Sequence, residues 1–387
     1  MATESEKKKT PIQNSDIYFP QELWAEYILP RLPVKTLLRF RCVCKYWCSL
    51  IDDPDFIYIH LKQYKKNCEK SRVLLMECLG YINYKGRRFT VGETLTLKQT
   101  TYVFKTSALY TLIGSCNGLV LLGLNHQLKL WNPSVRKCVY LPIPHPFRNT
   151  KLILGYAPRS DDYKVVSLKI SCSSTRELSL GIYSLNCDLW RTKICKGKGF
   201  QKNDFTERIC SIYFEGAAYW CDHDPYWSVA THLVCFDFDT EELIYIALPD
   251  VHTLTRCLFL LGESLAVFSV SSVSRSVWVM EKEGEMRSWS LWFSGDSSTE
   301  YNRSFEDQGK SVYFLPSRIF FVENSGTSFL YGKNSCKITS QRFQPLGKAV
   351  SRLIALEPYI ESLVLSRGYA GRTMALSPGD TTLVCLN

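Results

Sequence analysis

The chain changes its hydrophobic period once. From Leu23 to Ile51 apolar residues recur at helical spacing: Leu23, Ile28, Leu29 and Leu32 form one stripe, and Val34, Leu37, Leu38, Phe40 and Val43 form a second beyond Pro33. A proline there suits a helix start, where its missing N–H would have had no partner. Trp47, Leu50 and Ile51 open a third helix. Such small helical units bury only about 60% of their unfolded surface and stay marginal alone. This much Leu, Ile, Phe and Trp therefore needs a partner to cover it.

After Leu61 the helical period fades through a charged stretch, and from Val73 onward short β-rich runs alternate with turn residues. Val73–Met76, Leu119–Leu122, Lys151–Leu154, Lys164–Leu168, Leu180–Tyr183 and Leu233–Phe238 read as strands. A weak repeat groups them: a strand, a polar turn and a returning strand. Its copies are LKLWNPSVRKCVYLP from Leu128, GIYSLNCDLWRTK from Gly181, LVCFDFDTEELIYIALP from Leu233, VWVMEKEGEMRSWSLWF from Val277 and a degenerate IFFVENSGTSFLYGKNSCKI from Ile319. Measured at Trp131, Tyr183, Phe236, Met280 and Val322, the spacings are 52, 53, 44 and 42 residues, the period of four-stranded propeller blades. With a hairpin near Val73, the copies predict six or seven blades. Trp131, Trp190, Trp220 and Trp278 recur within the repeat and read as core. The predicted fold class is α+β multidomain: a small three-helix unit followed by an all-β, propeller-like domain.

The order of residues in 19–61 closely resembles the F-box of plant F-box proteins. The run from Arg31 to Leu50 matches that pattern almost letter for letter, and Asp53, Pro54, Phe56, His60 and Leu61 continue it. There are two departures: Phe19 replaces a leading Leu, and Tyr27 is one residue too many between Glu26 and Ile28. At 3.6 residues per turn, one inserted residue rotates a helix by about 100°, unless a bulge absorbs it. The resemblance implies binding to the Skp-type adaptor of a cullin-based SCF ubiquitin ligase, and through it to cullin and RING subunits. The positions it carries into or beneath that contact are Pro20, Leu23, Leu32, Pro33, Leu37, Leu38, Val43, Cys44 and Trp47. Charge agrees with an acidic adaptor: Arg31, Lys35, Arg39, Arg41 and Lys45 occur between Tyr27 and Ile51 without an acid.

The second part resembles the plant F-box associated domain, related to kelch-like repeats. The matching residues are GSCNGLVLL at Gly114, LWNPSVRKCVYLP at Leu130, LGYAPRSDDYKVVSL at Leu154, YSLNCDLWR at Tyr183, GAAYWCD at Gly216, FDFDTEEL at Phe236 and VWVMEKEG with SWSLWF from Val277. The expected organisation is a disordered tail over 1–16, an F-box over 17–61, a linker over 62–72, the β domain over 73–365 and a divergent tail over 366–387.

Composition limits the remaining classes. The 387 residues carry 47 Lys and Arg against 37 Asp and Glu, a net charge of +10, but the cations are spread along the chain and form no basic face for nucleic acid. The longest uncharged stretch, Thr106–Asn125, is broken by glycines and polar residues and reads as two strands around a turn rather than a membrane span. The first residues contain no apolar run of signal-peptide type, so the sixteen cysteines are expected as buried free thiols in the cytoplasm or nucleus. Cys42, Cys44 and Cys48 lack the paired spacing of a zinc site.

No phosphate loop, GxSxG elbow, HExxH or dinucleotide fingerprint occurs. Cys221, Asp222, His223 and Asp224 read as a loop, and Asp161 and Asp162 as turn formers. The expectation is a non-catalytic receptor with no cofactor and no metal. Target contacts are expected on loops such as Ser171–Glu177 and Asp222–Ser228, with Tyr226 and Trp227 as anchors. Two rival readings are a glycan- or small-molecule-binding propeller and an interaction protein outside any SCF complex.

Overall fold

The computed structural model describes residues 23–66, 72–79, 86–93, 100–106, 108–124, 127–143, 151–170, 177–196, 211–221, 232–249, 255–261, 264–270, 274–283, 286–296, 311–315, 318–322, 327–332, 335–342, 351–366, 374–375 and 384–385. The front of the chain is helical. A π-turn over Trp24–Ile28 leads into a 3-10 turn over Leu29–Arg31, and the helices Val34–Phe40, Lys45–Ile51 and Pro54–Lys66 follow.

The π-turn settles what the extra Tyr27 does. Its closing bond runs from the Leu29 N–H to the Trp24 carbonyl, five residues back. Such a turn holds one more residue than an α-turn, so the insertion is absorbed locally and does not swing the following stripe away from the core. Leu29 is buried, whereas Tyr27 stands 55% exposed.

The structure has one helix more than the three expected. The chain breaks after Ile51 because Asp53 and Pro54 provide a new start. The Asp53 Oδ1 accepts the N–H of Asp55 at 2.9 Å and of Phe56 at 3.3 Å, and Pro54 occupies the first turn. The resulting helix runs to Lys66, into the segment expected as linker.

Among the described residues six antiparallel sheets follow in chain order. The third, for example, contains Lys151–Ala157, Asp162–Ile170, Glu177–Ser184 and Leu189–Lys196, each paired with the next. The second to fifth sheets carry Trp131, Tyr183, Phe236 and Met280 on their third strands. Val322 breaks the series, since it lies on the second strand of the sixth sheet, Arg318–Val322. The segments before and after Thr327–Gly332, ENSG and KN, are alike in polar composition, so composition places the repeat one strand too early.

The first sheet joins the two ends of the domain: Ser351–Tyr359 pairs with Arg72–Leu79, bringing Tyr359 opposite Arg72. The last part of the chain also returns to the sheets. Met374–Ala375 pairs with Lys137–Leu141, and Val384–Cys385 pairs with Thr100–Thr106.

Apolar clusters fill the spaces between neighbouring sheets. Ile153, Val166, Leu180 and Ile182 of the third sheet meet Trp220, Val234 and Phe236 of the fourth, with Phe238 just beyond. Gly155 makes room for that contact, because a Cβ there would lie 2.0 Å from the Phe238 ring. Lys164 crosses the same seam to the Glu241 carboxylate at 2.8 Å and the Phe238 carbonyl at 2.7 Å. Trp131 and Trp220 are fully buried, as expected. Trp190 and Trp278 are only half-buried: their indole N–H groups bond to the Pro142 carbonyl and the Ser276 hydroxyl.

Candidate docking site

The helices at the front enclose a small core of Leu29, Val34, Leu37, Ile51 and Phe56, joined by Leu363 from the β domain. Leu37 therefore lies wholly beneath the surface, while Leu32, Leu38 and Trp47 are half-buried around it. Trp47 sits between the Trp24 and Phe40 rings, with centroids 5.8 Å and 4.9 Å away. This aromatic group links the π-turn to the next two helices. Pro33 and Cys44 are exposed, and Cys44 caps its helix by accepting the Trp47 N–H on Sγ at 3.4 Å. Pro20 lies outside the described residues.

Apolar side chains remain open on these elements. Val43 is 65% exposed, Tyr46 44% and Leu23 39%. Arg31, Lys35, Arg39 and Lys45 are exposed on the same helices. Arg41 differs, because its guanidinium is held 2.5 Å from the Asp52 carboxylate; the sequence treated it as one more free cation.

The same helices are seated on the sheets. Val135 packs against both the helical core and the cluster between the second and third sheets, as does Ile57 of the long helix. Tyr64 reaches the Glu361 carboxylate at 3.4 Å, and Arg72 pairs with Glu361 at 2.9 Å. His60 is fully buried, and its Nε2 lies 3.0 Å from the Leu32 carbonyl, tying the long helix to the chain before Val34. That bond assigns the proton to Nε2, and Nδ1 has no partner among the described residues. Burial pushes the pKa of His60 below its ordinary value, since a second proton would place an unsolvated charge in the core. Beside this seat opens a cleft of about 390 Å³, lined in part by Asp52, Ile57, Tyr58, Tyr156, Asp161 and Leu365.

Other sequence expectations separate here. Cys116, Cys138, Cys221 and Cys235 are buried and outside any disulfide, but Cys42, Cys44 and Cys187 are exposed, because they sit in or beside turns rather than within a core. Asp161 and Asp162 do build a turn: Asp161 has φ +47° and accepts the Tyr156 hydroxyl at 2.6 Å, and Asp162 accepts the Asn186 N–H at 3.0 Å. Residues 222–231, with Tyr226, Trp227, Asp222, His223 and Asp224, lie outside the described residues, as do 171–176. Sequence reasoning missed Tyr46, Val135 and Leu363. Only the apolar character of Val135 in WNPSVRK and of Leu363 in ESLVLS hinted at them.

Comparison with known proteins agrees with this architecture. Residues 26–58 match the F-box domain, and residues 68–364 match the F-box associated beta propeller domain. An F-box/kelch-repeat protein of Arabidopsis thaliana is 28% identical over 320 residues, covering 73% of this chain and 81% of the relative. An F-box/LRR-repeat/kelch-repeat protein of the same plant is 23% identical over 316 residues, covering 77% and 80%. The chain thus belongs to the F-box associated beta propeller domain family, with an F-box ahead of that domain.

Proposed function

We propose that this chain is the substrate-recognition subunit of an SCF ubiquitin ligase: its F-box binds a Skp-type adaptor, and its β domain holds a target protein for ubiquitination and degradation. One observation carries the reading: the β domain contributes to the F-box core but leaves Val43, Tyr46 and Leu23 of the F-box exposed. Exposed cations on the same helices favour an acidic partner, chiefly through the rate of encounter. The receptor needs no chemistry of its own, because holding a target beside a charged conjugating enzyme raises effective concentration.

The topology supports a division of labour. The turns 158–161 and 185–188 of the third sheet lie at the F-box end, since Asp161 and Asn186 line the cleft beside the long helix. Ile170 and Glu177 are at the other end of those strands. Arg159 bonds to Asp239 at 3.0 Å, so the fourth sheet is oriented alike and Cys221 and His232 also end away from the F-box. Target recognition by the end that carries Ile170, Glu177, Cys221 and His232 is part of the proposal, and Tyr226 and Trp227 are its anchors as expected from the sequence.

The test uses the exposed residues, because Leu37→Asp would place a charge inside the core and unfold the docking unit. Val43→Asp and Tyr46→Asp are expected to leave the melting temperature unchanged and to weaken binding of a purified Skp-type adaptor at least tenfold. Wild-type affinity in both variants would refute the proposed surface.

A further inference from the structure

The strand that closes the first sheet ends at Tyr359, and the chain continues through a stretch in which Glu361, Ser362, Leu363, Val364, Leu365 and Ser366 are all buried. This stretch divides its side chains between two cores. Leu363 enters the F-box core against Leu29, Val34, Leu37, Ile51 and Phe56, while Val364 and Leu365 join the cluster between the second and third sheets. Ser366 turns the chain back with an N–H bond to the Leu363 carbonyl at 2.8 Å.

Two residues of the second sheet shape the seat for this segment. The side-chain amide of Asn132, itself fully buried, lies 2.7 Å from the Val364 carbonyl, 3.1 Å from the Ser362 carbonyl and 3.2 Å from the Ser362 hydroxyl. Its Oδ1 accepts the Ser134 N–H at 2.9 Å and the Tyr359 hydroxyl at 3.3 Å. Gly118 has φ +81°, and a Cβ there would stand 2.3 Å from the Ser362 hydroxyl. Without Asn132 the carbonyls of Ser362 and Val364 would lose buried partners, which costs far more than an exposed bond would. Both residues belong to the motifs NGLVLL and WNPSVRK, in which the sequence explains the Gly by a bend but does not show what the Asn holds.

We propose, resting on the adaptor-docking reading above, that Asn132 and Gly118 are positioning residues for docking. They seat residues 360–366 as a wall of the F-box, so the docking helices reach their competent arrangement only when the far end of the chain is in place. A receptor whose first sheet has not closed then carries a complete F-box sequence without a competent F-box, and does not occupy the adaptor. The linkage is simple: if unseating lowers the competent fraction to a tenth, apparent adaptor affinity falls tenfold.

The experiment compares full-length wild type, Asn132→Ala and Leu363→Ala by hydrogen exchange, followed at Val34–Ile51 and at Lys151–Ile170, and by affinity for a purified Skp-type adaptor. The expected result in both variants is exchange about tenfold faster in the F-box helices, unchanged exchange in the third sheet, and adaptor binding about tenfold weaker. F-box exchange and affinity within twofold of wild type would overturn the proposal. Loss of third-sheet protection in Asn132→Ala would also overturn it, because the residue would then be holding the sheets together and not the seat. A wild-type chain that fails to bind adaptor refutes the functional reading instead, and the exchange data still decide whether Asn132 positions the F-box.

Discussion

The helical front and the sheets bury the same kinds of side chain in different ways. The space between the third and fourth sheets is closed by residues of those sheets, as where Leu180 and Ile182 meet Trp220 and Phe236. The F-box cannot do this. One wall of its core comes from Leu363 and Val135 of the β domain, and Val43, Tyr46 and Leu23 are left exposed. A short helical unit has too much surface for its volume to close on itself. That deficit attaches the unit to its own sheets and, in the proposed function, leaves a surface for a partner.

Three perturbations separate the two regions. The largest effect is expected from Gly155→Ala, whose new Cβ would overlap the Phe238 ring, itself packed 5.1 Å from Phe236. Overpacking of this kind costs about 1–3 kcal/mol. The calorimetric transition of the β domain should move down accordingly, and an unchanged transition would show that this seam yields more easily than its packing implies.

Asp53→Ala removes the acceptor for the Asp55 and Phe56 N–H groups at the start of the long helix. A loss of about 1 kcal/mol is expected, confined to the F-box and visible as faster amide exchange over residues 54–61. If third-sheet amides accelerate equally, the two regions unfold as one unit and the contrast between them is smaller than the cores suggest.

The mildest perturbation is acidification. Burial holds the folded-state pKa of His60 below 6.5, so below about that pH the unfolded chain takes up a proton that the folded F-box refuses. His60 therefore supports stability fully above that pH and progressively less as the pH falls toward its folded-state pKa. Exchange protection of the F-box, corrected for intrinsic rates, should fall between pH 7 and pH 5, and His60→Gln should flatten the change. A wild-type profile as flat as that of the variant would exclude His60 as the source.

Much of the fold was legible in the residues. The stripe from Val34 to Phe40, the strands at Leu119–Leu122 and Leu233–Phe238, and the repeat through Trp131, Tyr183, Phe236 and Met280 all rest on local periodicity. That information is complete within a few neighbouring residues. The repeat failed at Val322 for the same reason: two polar segments, ENSG and KN, look alike when only composition is read. Of the docking site, the sequence named Trp47 and Val43 but could not say that Leu37 lies beneath the surface, or that Arg41 is held by Asp52.

The sequence by itself determined where helices give way to strands, which family the F-box and β domain resemble, and that six or seven blades were to be expected. Tertiary structure alone decided that a π-turn absorbs Tyr27, that Ser351–Tyr359 closes the first sheet against Arg72–Leu79, and that Leu363 completes the F-box core. The reason is physical. Periodicity states which face of an element must be buried, whereas the residue that buries it is selected by packing and hydrogen-bond satisfaction between segments hundreds of positions apart, and no local pattern records that choice.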